Sequence, residues 1–172
     1  MPALRKSAST LCTRIWRIWH IRAAPVAEAP LYDDSLTIAL LRARDAVTAP
    51  FREHVAEAGL TLQQWRVIRA LAGGFELDTT TLSRRCVILP PSLTRMLRFL
   101  SEQGLVEQVP ASDRRQRVVR LTDQGQQLFD RMWVTSQEKY AAIEAAFGTD
   151  ETRQLVETLN RFRACLESQD HA

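Results

Sequence analysis

The feature that most restricts the fold of this chain is a pair of short helical segments followed by two short strands, within residues 78–121. The first segment begins near Asp78 and reaches Val87. The second follows the turn at Pro90 and Pro91, because proline is tolerated in the first turn of a helix. Apolar side chains recur in the second segment at i, i+3, i+4 and i+7, which predicts one face against a core. These residues are Leu93, Met96, Leu97 and Leu100.

The two strands predict a hairpin with a cationic tip. Residues 106–109 and 117–121 are short apolar-containing runs, and the stretch between them begins at Pro110 and is rich in turn-forming residues. Two short helices followed by a basic hairpin are typical of a winged helix-turn-helix, which we place at about residues 60–121. The predicted fold class is mainly α with a small β wing, a winged helix-turn-helix joined to a helical dimerisation region.

Amphipathic helices are predicted on both sides of this unit, at about residues 33–58 and 122–168. We expect Pro50 to kink or interrupt the upstream helix, because proline removes an amide donor and clashes with the preceding turn. Apolar stripes recur every three or four residues, at Leu36, Leu40, Ala43, Val47, Phe51 and Val55 upstream and at Leu155, Leu159, Phe162 and Leu166 downstream. These stripes either pair two copies of the chain or fill the core of one copy.

Composition and motifs exclude several classes of protein. Charged residues interrupt every apolar run before it reaches the length of about 18 residues that a membrane-spanning helix needs. The three cysteines are far apart without a CxxC motif, which favours a reducing cytoplasm and argues against disulfides or a cysteine-rich zinc site. Enzyme motifs such as HExxH, GxSxG and a glycine-rich phosphate loop are missing. We therefore expect neither catalysis nor a metal or other cofactor, and no membrane partner.

Residues 1–30 predict a basic, disordered tail ahead of one domain at residues 31–172. The tail contains Pro2, Pro25 and Pro30, and its end is rich in proline and alanine. Two other interpretations stay open: an amphipathic membrane-surface helix, and a start codon assigned upstream of the natural one.

The charge distribution favours binding to nucleic acid. Residues 78–121 carry eight basic and four acidic side chains, whereas residues 122–172 carry five and nine. A helix with small polar and basic residues near its N-terminus can approach base edges, and a basic hairpin can reach phosphates. The residues predicted to contact DNA are Pro91, Ser92, Thr94, Arg95, Arg98, Arg114, Arg115 and Arg117. The alternatives are a solvated charged face and a winged-helix module that binds protein without DNA.

A homodimer is expected on independent grounds. One recognition helix contacts few base pairs, whereas two copies would place their recognition helices about 34 Å apart, one turn of DNA. The expected partner is therefore double-stranded DNA that contains a palindromic operator.

Three segments resemble the MarR family of bacterial transcriptional regulators: LTLQQWRVIRAL, LSRRCVILPPSLTRMLRFLSEQGLVEQ and DRRQRVVRLTDQG. The family pattern of the wing is matched by Asp113, Arg115, Leu121, Thr122 and Gly125. The similarity covers about residues 33–166. A narrower similarity, to regulators of homoprotocatechuate (4-hydroxyphenylacetate) degradation, is carried by the segments DDSLTIALLRARDAV, QQWR and ILPPSLTR. The resemblance implies a homodimeric repressor of an aromatic catabolic operon, which a small aromatic carboxylate releases from DNA.

Two residues are candidates for binding that effector. Arg44 lies among apolar residues and can anchor a carboxylate, while Trp65 can supply an aromatic wall. The sequence is equally compatible with a structural role for both residues, in which Arg44 forms an ion pair with an acidic side chain and Trp65 lies in the core. Other arginines that could anchor the carboxylate are Arg42, Arg66 and Arg69. Cys86 permits a redox-sensing regulator, although free cysteines are more often buried and unreactive.

Overall fold

The computed structural model describes residues 32, 35–110 and 117–169. The chain divides into two units, residues 1–44 and 45–172. The predicted tail, residues 1–30, lies outside the described residues, so its boundary stays a prediction.

The described residues form helices and one small sheet. The elements in chain order are α1 (Leu36–Glu57), α2 (Leu62–Leu71), β1 (Leu77–Asp78), α3 (Thr79–Cys86), α4 (Pro90–Glu102), β2 (Val106–Val109), β3 (Val118–Leu121), α5 (Asp123–Phe147) and α6 (Thr149–Gln169). The antiparallel sheet has the order β1-β3-β2, and Val109 faces Val118 where the hairpin leaves the sheet. The predicted fold class, mainly α with a small β wing, is confirmed.

Local capping determines where the helices of the helix-turn-helix region begin. Thr61 and Gln64 form the capping box that the sequence predicts: Gln64 N–H donates to Thr61 Oγ1 at 3.2 Å, and Thr61 N–H donates to Gln64 Oε1 at 2.7 Å. Asp78 caps α3 by accepting from the amides of Thr80 and Thr81, each at 2.9 Å. Hydrogen bonds from Thr81, first from its side chain and then from its backbone, lower the pKa of Asp78.

The core of the described residues lies between α2, α3, α4 and the sheet. Ile68 and Leu82 are fully buried there. On α4, Leu93 and Leu100 are buried, and Met96 and Leu97 are partly buried against the same core. The predicted inward face of α4 is therefore confirmed, and the opposite face of this helix is left for contacts outside the core.

The apolar stripes of α1 and α6 are much less buried than the inward face of α4. Phe51 and Val55 at the C-terminal end of α1 are buried, but Leu36, Leu40 and Val47 are exposed. No described residue of α6 is buried. Most side chains of these two stripes therefore lie outside the core of a single copy of the chain.

The sequence predicts that Pro50 kinks or interrupts the upstream helix. The interruption is wrong. Pro50 lies inside α1, and the helix continues beyond it to Glu57. The next residues, Phe51 and Val55, are buried in the core, so tertiary packing holds this last part of the helix in place despite the lost amide donor.

Candidate DNA interface and effector cavity

The N-terminal end of α4 presents polar and cationic side chains to solvent. Pro91, Thr94, Arg95 and Arg98 are exposed, and Ser92 is half-buried. The hydroxyl of Thr94 donates to the carbonyl of Pro90 at 3.0 Å, so its proton is already used within the helix. Arg98 lies 3.8 Å from Glu102 in an exposed ion pair, which holds the guanidinium only weakly.

A groove of about 330 Å³ lies between α4 and the hairpin. Its lining includes Arg95 and Arg98 from α4 and Arg117 beside β3. The structure thus brings together cations that the sequence predicts for DNA contact from two separate elements. Arg114 and Arg115 lie outside the described residues, so their predicted DNA contacts stay proposals.

Arg120, unlike these cations, is held in ion pairs with acidic side chains. The sequence did not indicate this structural role. Its Nε donates to Glu107 Oε1 at 2.8 Å, and its Nη1 lies 3.2 Å from Glu76 Oε1. The hydrogen bond to Glu107, with the charge of that carboxylate, raises the pKa of Arg120. Arg120 therefore links β3 to β2 and to the segment before β1, and its charge is balanced by two acids.

A second cavity, of about 190 Å³, lies within the unit formed by residues 45–172. It is lined by Val47, Thr48 and Phe51 of α1, Leu62, Trp65, Arg66 and Arg69 of α2, and Tyr140 of α5. For scale, an apolar cavity of about 150 Å³ can hold benzene. The structure therefore provides space for a small aromatic ring between three helices.

Two side chains in the wall of this cavity come from successive turns of α2. Trp65 is only 3% exposed, and its Nε1 is the one buried side-chain nitrogen or oxygen of the described residues that lacks a hydrogen-bond partner. Arg69 Nη1 donates to Tyr140 Oη at 2.5 Å, and the guanidinium carbon lies 5.2 Å from the Trp133 ring centroid. A buried indole N–H without an acceptor is costly, so an acceptor that reached this one would stabilise the protein.

The structure places one of the two predicted effector residues in this cavity. Trp65 lines the cavity, together with two of the alternative cations, Arg66 and Arg69. Arg44 belongs to the unit formed by residues 1–44 and is exposed. The sequence could not rank these arginines, because which of them shares a cavity with Trp65 depends on the packing of α1, α2 and α5.

Cys86 lies in a closed environment at the end of α3. The side chain is fully buried, and its thiol lies 3.7 Å from the carbonyl of Arg66, to which it donates. Burial raises the pKa of this thiol above its usual value, and the nearby charges of Arg66 and Arg85 oppose that rise. A thiol that remains protonated is a poor nucleophile, which argues against redox sensing at this site.

We therefore expect Cys86 to react slowly with iodoacetamide in the native protein, whereas the exposed Cys165 reacts readily. Denaturant should remove the difference between the two residues. Mass spectrometry of the alkylated peptides after timed quenching measures both rates. Labelling of native Cys86 at the rate of Cys165 would contradict the buried, protonated thiol.

The described ranges lack two other kinds of feature, a metal-binding cluster and a membrane-spanning helix. No group of three or more His, Cys, Asp or Glu side chains there can hold a metal ion. No helix in those ranges is long and apolar enough to cross a membrane.

Comparison with known proteins identifies the family of the chain. The MarR family model matches residues 58–116. The homoprotocatechuate degradative operon repressor of Escherichia coli is 42% identical over 132 residues, covering 76% of this chain and 89% of that repressor. A crystal structure of NadR in complex with 4-hydroxyphenylacetate has 34% identity and a TM-score of 0.70, covering 79% of this chain and 97% of that one. The repressor CouR, solved on a 23-mer DNA duplex, has 26% identity and a TM-score of 0.68, covering 80% and 99%.

The residues matched by the family model include α2, α3, α4 and β2, and they end just before Arg117 and β3, which complete the groove. The similarity to the Escherichia coli repressor extends over nearly the whole length of that relative. The chain therefore belongs to the MarR family of transcriptional regulators.

Proposed function

We propose that this protein is a sequence-specific DNA-binding repressor of an aromatic catabolic operon, and that a small aromatic carboxylate releases it from its operator. The observation that carries the DNA-binding part is the groove in which Arg95 and Arg98 of α4 meet Arg117 of the hairpin. Cations on a recognition helix and a wing match base edges and adjacent phosphates. The named activity of the Escherichia coli relative and the DNA complex of CouR support the same function. Such a regulator involves no catalysis and acts in the bacterial cytoplasm, where the DNA is.

The protein acts as a homodimer on a palindromic operator. Support comes from α6, which has an exposed apolar stripe at Leu155, Leu159, Phe162 and Leu166. An apolar stripe at this spacing is typical of a helix that packs against a partner helix. A second copy covers it and brings two recognition helices to the same face of DNA, about one helical turn apart.

The effector binds in the cavity of Trp65 and Arg69. Its carboxylate accepts from the indole N–H and from the guanidinium, and its ring packs beside Phe51 and Tyr140, which also line the cavity. Charge-assisted hydrogen bonds of this kind are stronger than neutral ones. The 4-hydroxyphenylacetate complex of NadR makes hydroxyphenylacetates the first effectors to test.

The position of the cavity explains how a small ligand affects DNA binding. Its walls come from α2, which belongs to the winged helix-turn-helix, and from α1 and α5, which flank it. A ligand that joins these helices changes the free-energy balance between spacings of the two recognition helices. Release requires that the ligand bind more tightly to the conformation whose recognition helices are wrongly spaced for DNA. A coupling free energy of about 1–3 kcal/mol then lowers operator affinity about 5- to 150-fold.

Operator binding by Arg95→Ala and Arg117→Ala tests the proposed interface. We expect Arg95→Ala to lose about 1–3 kcal/mol on the specific site and to relax base preference. Arg117→Ala should weaken specific and non-specific binding alike and reduce the slope of log affinity against log salt by about one unit. Fluorescence anisotropy on the selected operator and on a scrambled duplex, at several salt concentrations, measures both effects.

Arg131→Ala is the matched control, because it removes an exposed arginine from α5, away from the groove. It should leave both the affinity and the salt slope nearly unchanged. Operator affinity that is unaltered in both groove variants would overturn the interface. Affinity that does not depend on salt would instead favour the winged-helix module that binds protein.

A further inference from the structure

Two apolar side chains project into solvent at the entrance to α4. Val87 is 84% exposed and Leu89 is 75% exposed, more than any other large apolar residue that the structure describes. They lie on either side of the buried Ile88, in the turn between α3 and the recognition helix. Neither residue was singled out by the sequence patterns, because core stripes and charges do not pass through this turn.

The backbone at Val87 is unusual for this residue type. Val87 ends α3 in the left-handed conformation, with φ 52° and ψ 53°. Glycine or asparagine normally occupies this capping position, and a β-branched residue there is a genuine outlier. A strained residue that contributes nothing to the core suggests that its side chain has a use at the surface.

The N-terminus of α4 is also poor in hydrogen-bond donors. Pro90 and Pro91 occupy its first positions and have no N–H, and Leu89 makes no side-chain cap. Helix N-termini that bind phosphate do so through free amides, and the prolines remove some of those here. The end of this recognition helix is therefore suited to apolar contacts more than to phosphate.

We propose that Val87 and Leu89 read thymine, by packing against its C5 methyl group in the major groove. The inference rests on the proposed DNA-binding function. Thymine is the base that presents a methyl group in this groove, and apolar side chains recognise it by contact. The patch directly precedes α4, which carries the exposed cations Arg95 and Arg98, and this favours a polyanion as the occupant over a protein surface or a membrane.

Replacing thymine with deoxyuridine removes this methyl group and leaves the pairing unchanged, which provides a direct test. The wild-type protein first selects its site from a random duplex library, and each thymine of that site is then replaced singly. Burial of one methyl group is worth about four-fold in affinity. We expect wild type to lose about this factor at the contacted thymines and nothing at the others.

Two variants assign the effect to the side chains. Val87→Asn and Leu89→Asn each replace an apolar side chain by a polar one without a methyl group, and asparagine also tolerates the left-handed conformation at position 87. We expect each variant to bind the thymine and deoxyuridine duplexes equally well at the position it contacts. Val134→Asn makes the same exchange at an exposed position on α5 and should keep the four-fold discrimination.

The outcomes separate this inference from the function on which it rests. If no sequence is enriched from the library, the proposed function fails. If a site is enriched but wild type binds every deoxyuridine duplex as tightly as the parent, thymine reading is overturned and DNA binding stands. Discrimination that is undiminished in both Val87→Asn and Leu89→Asn would likewise overturn the assignment.

Discussion

The Gly125→Ala variant is expected to lose about 3 kcal/mol of unfolding free energy, because its new methyl group has no room. A Cβ at Gly125 would lie 2.0 Å from the carbonyl oxygen of Leu105 and 3.0 Å from its carbonyl carbon. These are backbone atoms, which cannot move aside as the end of a flexible side chain can. The first turn of α5 or the start of β2 must therefore shift.

Hydrogen bonds around this contact make such a shift costly. Thr122 N–H donates to Leu105 O at 3.1 Å, and the Thr122 hydroxyl donates to the carbonyl of Gly104 at 2.6 Å. The same hydroxyl accepts from Gly125 N–H at 3.0 Å, as the N-cap of α5. The substitution therefore disturbs both the cap of α5 and its attachment to the base of the wing.

Gly59→Ala is the matched control for the Gly125 prediction. Gly59 has a positive φ of 69°, and a Cβ there would meet nothing within 4 Å. The control should cost about 1 kcal/mol, from backbone strain alone. Urea unfolding followed by circular dichroism compares the two variants. Equal stability of Gly125→Ala and Gly59→Ala would show that the close approach to Leu105 is not restrictive.

The parts of the fold that sequence predicts well are those specified by local patterns. The capping box of Thr61 and Gln64 and the inward face of α4 depend on residues within a few positions of one another. By contrast, β1 has two residues and exists through its pairing with β3, in which Leu77 faces Val119. No local pattern specifies so short a strand, and the sequence did not predict it.

The same distinction applies to the candidate sites. Cations on α4 and the hairpin were predicted because they cluster in the sequence, and the structure places three of them on one groove. The choice of effector arginine depended on which side chain shares a cavity with Trp65. Arg69 does so because it lies one helical turn further along α2, and Tyr140 reaches it from α5.

Arg69→Ala is expected to weaken the binding of 4-hydroxyphenylacetate about 10- to 150-fold, the loss of about 1.5–3 kcal/mol for a hydrogen bond to a charged group. Arg69→Lys keeps the charge but loses the planar fork, so its affinity should fall between those of Arg69→Ala and wild type. Trp65→Phe keeps the aromatic wall and removes the indole donor, which should cost about 1 kcal/mol, or about five-fold. Isothermal titration calorimetry on the free proteins measures all three affinities.

Arg44→Ala separates the two candidate anchors for the carboxylate. If Arg69 is the anchor, Arg44→Ala should bind the ligand nearly as wild type does. A loss of affinity in Arg44→Ala with full affinity in Arg69→Ala would reverse the assignment and restore the anchor that the sequence suggested.

Linkage makes the repressor model testable from both sides. If the ligand lowers operator affinity by some factor, the operator must lower ligand affinity by the same factor. Titrating the protein–operator complex with 4-hydroxyphenylacetate and the ligand-saturated protein with operator should therefore give one coupling free energy. Equal ligand affinity for free and DNA-bound protein would exclude release by this effector, because a ligand without differential affinity shifts no equilibrium. Arg69→Ala, whose DNA groove is unchanged, should keep operator affinity and lose its response to the ligand at concentrations that release wild type.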